Sequence, residues 1–90
     1  KNKMTRMTKY RKQIDKINHK ILKLLSKRMK VSEKIGECKK RRNAPIRDEK
    51  REKELLDMIS RQAKKHKLDE KFIEDVFQII LSESRRKQEK

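Results

Sequence analysis

The stretch ILKLLSKRMKVSEKIGEC, residues 21–38, carries an apolar repeat that a single arginine interrupts. Apolar residues recur at alternating intervals of three and four, at Met7, Tyr10, Ile14, Ile17, Ile21, Leu24, Val31, Ile35 and Cys38. This is the 3.5-residue repeat of a coiled-coil-like helical seam, and Arg28 occupies one of its positions. Arg28 either extends to solvent or needs an anion, since a buried unpaired guanidinium is heavily penalised. The anion is Asp48 or Glu52 in a structural ion pair, or a bound carboxylate or phosphate.

Length and composition indicate one soluble helical domain that spans residues 1–90. Charged residues make up 49% of the chain, and it contains one Gly, one Pro, one Tyr and two Phe. So few turn-forming and aromatic residues argue against a β domain. No apolar run is long enough for a membrane span, and the N-terminus lacks the apolar stretch of a secretory signal. A lone Cys fits a reducing compartment, so we expect a cytoplasmic protein.

Two breaks divide the chain into three helices, which predicts an all-α fold. Pro45, within RRNAPIRD (residues 41–48), cannot continue a helix, and KKHKLDEK (residues 64–71) reads as a second turn. Asp48 and Asp69 are the expected N-caps of the helices that follow. The predicted ranges are about 5–42 for the long helix 1, about 48–64 for helix 2 and about 69–88 for helix 3.

The length of helix 1 predicts a homodimer. About 37 residues at 1.5 Å each span about 55 Å, whereas the two later helices reach roughly 25 to 30 Å each. They cannot both cover the long seam and bury their own apolar faces. Because an unpaired seam is costly in water, a second copy of the chain should lie along it.

Polar residues follow each apolar stripe at one end. Lys39 lies eleven residues after Arg28, about 20° around the helix, so both share one face. The other members of this set are Asp48, Arg51 and Glu52 at the start of helix 2, and Ser84 and Gln88 at the end of helix 3. Taken singly, each also fits a stripe end that reaches solvent. Together they predict a polar, net basic patch among packed helices.

Metal and cofactor chemistry is not expected from the sequence. His19 and His66 lie far apart, Cys38 stands alone, and no Gly-rich phosphate loop is present. Cys38 falls on the apolar stripe, where we expect a small core residue.

Most of the chain resembles the all-helical class of chorismate mutases, which includes a domain that some bacteria fuse to prephenate dehydratase. The likeness runs without a gap from Arg11 to Gln88. It is strongest in RKQIDKINHKILKLLSKRMKV (11–31), IGECK (35–39), PIRDEKREKELL (45–56), and HKLDEKFIEDVFQIILSES (66–84) with Gln88. The resemblance implies an intertwined homodimer and no cofactor. It also implies the Claisen rearrangement of chorismate, a dianion, to prephenate in aromatic amino-acid biosynthesis.

The resemblance also assigns roles to individual residues. Arg11 and Arg28 would clamp the two carboxylates, while Lys39 and Gln88 would donate to the ether oxygen. Glu52 and the backbone near Asp48 would hold the ring hydroxyl. Ser84 and Arg51 would support the carboxylate end. Arg11 lies about 25 Å along the helix from Arg28, so it would have to come from the partner chain.

Two features depart from this pattern. Arg85 stands where an aliphatic residue is expected near the site, and the net charge of +16 exceeds what a dianion requires. Two alternatives therefore stay open: a dimeric scaffold impaired by Arg85, and a basic helical module that binds nucleic acid. The second explains the charge directly, but no base-stacking aromatics face the basic residues, and we expect no specific nucleic acid.

Overall fold

The computed structural model describes residues 3–89, and all of their regular structure is helical. Helix α1 spans Lys3–Arg41, α2 spans Glu49–Lys65 and α3 spans Glu70–Gln88. The all-α class with one long and two shorter helices is confirmed. None of the helices in this part of the chain is long and apolar enough to cross a membrane.

Both predicted N-caps are confirmed. The Asp48 carboxylate accepts a hydrogen bond from the Arg51 backbone N–H at 3.0 Å. The Asp69 carboxylate accepts one from the Phe72 N–H at 2.8 Å. Each satisfies a backbone donor that the first helical turn leaves without a partner, and each places a negative charge at the positive end of the helix dipole.

Helix α3 packs against both α1 and α2. The crossing of α1 and α3 is very close at Gly36, where an added Cβ would lie 2.5 Å from the Gln88 carbonyl oxygen and 2.6 Å from its Cα. Only glycine allows two helix backbones to approach so closely. This crossing brings the C-terminal halves of α1 and α3 together.

The apolar stripe of α1 is left largely uncovered within one chain. In the part of the chain that the structure describes, the buried apolar side chains are Ala63 and Leu81. By contrast, Tyr10, Ile17 and Leu24 are 51–66% exposed. Cys38 is also exposed, so its expected core position is wrong for the single chain. The radius of gyration is 17.3 Å, whereas a compact domain of this length has about 12 Å.

Candidate active site

A cavity of about 410 Å³ lies among the three helices, close to the α1–α3 crossing. Its apolar walls come from Val31, Ile35, Ile46, Leu55 and Leu81. Seven of the eight predicted site residues also line it: Arg28, Lys39, Asp48, Arg51, Glu52, Ser84 and Gln88. The eighth, Arg11, is exposed and lies about 25 Å along α1 from Arg28.

Lys39 fixes the orientation of the Gln88 side chain. The Lys39 Nζ donates to the Ile46 carbonyl oxygen at 2.5 Å and to Gln88 Oε1 at 2.7 Å. An ammonium group only donates hydrogen bonds, so the amide of Gln88 must turn its oxygen toward Lys39 and its N–H₂ group away. The result is a pair of adjacent N–H donors, one cationic and one neutral, on the cavity wall.

Ser32 is a buried member of the site that the sequence reasoning missed. Its Oγ lies 2.6 Å from Ser84 Oγ, and Gln88 Nε2 donates to Ser84 Oγ at 3.4 Å. Ser32 is 3% exposed. The available signal was its position four residues after Arg28, which places the two on one helix face. The serine pair links α1 to α3 directly beneath Gln88.

Arg28 does not form the ion pair that the sequence left open. The Asp48 carboxylate caps α2, and the Glu52 carboxylate binds Arg85, with Arg85 Nη1 at 2.7 Å and 2.8 Å from its two oxygens. Arg28 is half-buried on the cavity wall and makes no ion pair within the described part of the chain. Of the anions considered for Arg28, a bound carboxylate or phosphate is the one that remains.

Most of the lysine and arginine side chains that are shielded from solvent line the cavity. Among the described side chains, every Lys and Arg is exposed except Arg28, Lys39, Arg85 and Lys87. The first three of these line the cavity, together with exposed Arg51 and the two carboxylates of Asp48 and Glu52. Four cations against two anions favour a ligand with two negative charges. No cluster of metal-ligating side chains occurs among residues the structure describes.

Fold and cavity together define a helical protein whose site suits a small dianion. Residues 10–89 match the family described as chorismate mutase type II. The chain therefore belongs to the chorismate mutase type II family, whose enzymes are isomerases.

Individual relatives agree with this assignment. The chain is 35% identical over 80 residues to a chorismate mutase from Methanocaldococcus jannaschii, which covers 89% of this chain and 81% of that protein. It is 41% identical over 75 residues to a bifunctional chorismate mutase/prephenate dehydratase from Buchnera aphidicola subsp. Schizaphis graminum, covering 83% of this chain. The match spans 20% of that bifunctional protein.

A solved structure of a conserved hypothetical protein from Pyrococcus furiosus has the same fold. Its TM-score is 0.74 at 37% sequence identity, and the superposition covers 93% of this chain and 96% of that one.

Proposed function

We propose that this chain converts chorismate to prephenate by a Claisen rearrangement, as a cytoplasmic enzyme of aromatic amino-acid biosynthesis. The observation that carries the proposal is the pair of N–H donors formed by Lys39 and Gln88 on the wall of a cationic cavity. Family membership and the names of the relatives support the same reaction.

The reaction needs no acid, base or covalent attachment to the enzyme. One ether C–O bond breaks while one C–C bond forms within the same molecule, so every atom of the substrate is retained. Negative charge grows on the ether oxygen as its bond breaks. Lys39 has three N–H groups, two of which are used by Ile46 and Gln88, and the third is available for that oxygen. Gln88 Nε2 supplies a second donor, and such preorganised donors stabilise the transition state.

Arg28 binds a carboxylate of chorismate, and Arg51 and Ser84 support the carboxylate end of the substrate. Neither guanidinium group forms an ion pair within the described part of the chain, so both keep donors for a bound carboxylate. The Glu52 carboxylate and the backbone near Asp48 hold the ring hydroxyl. Fixing both ends of the substrate selects the compact conformer in which the new C–C bond can form, which lowers the entropic part of the barrier.

The exposed stripe of α1 supports a homodimer in which the long helices intertwine. Met7, Ile14 and Ile21 are 47–54% exposed in the single chain and repeat along one face of α1. A second copy would bury them and would bring its own Arg11 toward the cavity. Arg11 of the partner then completes the clamp on the substrate with Arg28.

The test is the consumption of chorismate by the purified protein, followed by ultraviolet absorbance, for the wild type and for Lys39→Ala. Loss of a donor to the ether oxygen is expected to lower kcat by about 10²- to 10³-fold. Lys40→Ala is the matched control, because Lys40 is the neighbouring exposed lysine of α1. Circular dichroism checks that both variants keep their helices. An inactive wild type, or a fully active Lys39→Ala variant, contradicts the proposal.

The impaired-scaffold alternative rests on Arg85, and the geometry favours activity instead. Arg85 points to Glu52 at the α2–α3 side of the cavity, and about 410 Å³ remains open beside it. The substrate space is therefore not filled by the arginine.

A further inference from the structure

Arg85 and Glu52 form the best protected ion pair in the described part of the chain. Their side chains are 24% and 16% exposed, and the pair joins α3 to α2 across 33 residues of sequence. Both residues line the cavity. Arg47 lies 3.9 Å from the same Glu52 oxygen but is 61% exposed, so its attraction is more strongly screened by water.

The contact fixes the Glu52 carboxylate without using up its capacity to accept hydrogen bonds. One nitrogen, Arg85 Nη1, donates to both carboxylate oxygens, at 2.7 Å and 2.8 Å. An ionised carboxylate offers about four lone-pair positions, and this contact occupies about two of them. Glu52 can therefore hold its place and still accept a hydrogen bond from a ligand hydroxyl.

The charge of Arg85 matters as much as its position. A bare carboxylate on the cavity wall would repel a dianionic ligand, and the protected environment would weaken the screening of that repulsion. With Arg85 bound to it, Glu52 offers an acceptor whose charge is balanced. Among the described residues, an aliphatic residue at position 85 would leave Arg47, which is 61% exposed, as the only cation within 4 Å of the Glu52 carboxylate.

We propose that Arg85 is a positioning residue for the rearrangement, which holds Glu52 in place and cancels its charge toward the substrate. This inference rests on the proposed function. It gives a role to Arg85, which stands where the family resemblance led us to expect an aliphatic residue.

The experiment compares KM and kcat for Arg85→Leu, Arg85→Gln and Arg85→Lys. Repulsion by an unbalanced Glu52 acts on the bound substrate and on the transition state alike, so the effect should appear mainly in KM. We expect KM to rise about tenfold in Arg85→Leu and Arg85→Gln with kcat within about threefold of the wild type. Arg85→Lys keeps the charge and one donor, and should restore KM to within about threefold.

Arg86→Gln is the matched control. Arg86 is the adjacent residue of α3 and carries the same charge, but it pairs with Glu83 on the exposed face at 2.9 Å. Its removal lowers the net charge equally and should leave KM unchanged. Two neutral variants at position 85 are included so that a folding defect in Arg85→Leu still leaves Arg85→Gln to be measured.

A double-mutant cycle separates action through Glu52 from direct contact with the substrate. In the Glu52→Gln background, replacement of Arg85 by Leu or Gln should no longer raise KM, because no carboxylate remains to be balanced. A KM increase that persists in this background overturns the inference, as does an unchanged KM in both neutral variants of an active enzyme. An inactive wild type contradicts the proposed function first and removes the inference with it.

Discussion

The role proposed for Gln88 depends on the direction of its amide. Because Lys39 Nζ lies 2.7 Å from Oε1, the N–H₂ group is the part of the side chain left for other partners. A neutral amide keeps these hydrogens at every pH at which the protein is folded. The wild-type rate should therefore show no acid optimum, and a rate that climbs steeply below about pH 6 would contradict the assignment.

Gln88→Glu tests this point. The introduced carboxyl group is ionised near neutral pH, where it only accepts hydrogen bonds, so kcat/KM should fall about 10²-fold. The activity should recover as the pH is lowered and the carboxyl group becomes protonated, since a protonated carboxyl group donates one O–H. A variant with the same kcat/KM as the wild type at neutral pH, and with no gain of activity as the pH is lowered, would show that no donor is needed at this position.

The positions of some site residues could be predicted from the sequence, whereas their contacts across helices could not. Arg28 and Lys39 were expected on one face because helical rotation depends only on their separation, and both line the cavity. The pairing of Ser32 with Ser84 was missed because it joins residues 52 positions apart. Such a contact depends on where α1 and α3 cross, which no local pattern specifies. The pairing of Glu52 with Arg85 was not predicted for the same reason: an ion pair with Arg28 was one of the alternatives left open, and Arg85 is the residue bound.

The helices themselves were well predicted because their ends are decided locally. Asp48 and Asp69 are short acceptors before helix-forming segments, and Pro45 lies in the break between α1 and α2. Within the two predicted breaks, Asn43 with φ 53° and Lys67 with φ 57° take left-handed backbone angles that the sequence analysis did not predict. Asparagine is the residue that most often takes this position after glycine, whereas nothing in the sequence marks Lys67 for it.

Substitution of Gly36 tests the close contact between α1 and α3. On an isolated helix Gly36→Ala should stabilise by about 1 kcal/mol, because alanine is the better helix former. Here the new Cβ would lie 2.5 Å from the Gln88 carbonyl oxygen, so the end of α3 must move. We expect a net loss of stability of about 1–2 kcal/mol and a fall in kcat of at least about tenfold.

Urea denaturation and the chorismate assay measure the two effects of Gly36→Ala. Ser26→Ala serves as the control, since Ser26 is an exposed residue of the same helix and its replacement should change stability only slightly. A Gly36→Ala protein that is both more stable and fully active would mean that the helices do not pack this closely.

The molecule as a whole is an elongated chain of 62 × 26 × 15 Å with few buried apolar side chains. Its length and its exposed stripe are the reasons for proposing a dimer with Arg11 supplied by the partner. That arrangement makes two inactive variants complementary. Mixed dimers of Arg11→Ala and Lys39→Ala would contain one site with both wild-type residues and one site that lacks both.

Mixing the two variants in equal amounts, with unfolding and refolding to exchange chains, should restore about a quarter of the wild-type activity if the dimer is symmetric and pairing is random. Half of the dimers are then mixed, and each of these holds one intact site. Each variant refolded alone provides the control and should stay inactive. No recovery in the mixture, despite exchange of chains seen by mass spectrometry, would place Arg11 outside the site.

The overlap between the core and the cavity limits how such a sequence can change over evolutionary time. Ser32, Leu81, Ser84 and Gln88 are buried and also line the cavity. A mutation that alters the packing there alters the chemistry as well, so few substitutions are neutral at these positions. Substitutions on the exposed polar faces escape both constraints. A lineage can therefore accumulate a charge as large as +16 on those faces while its active site stays the same.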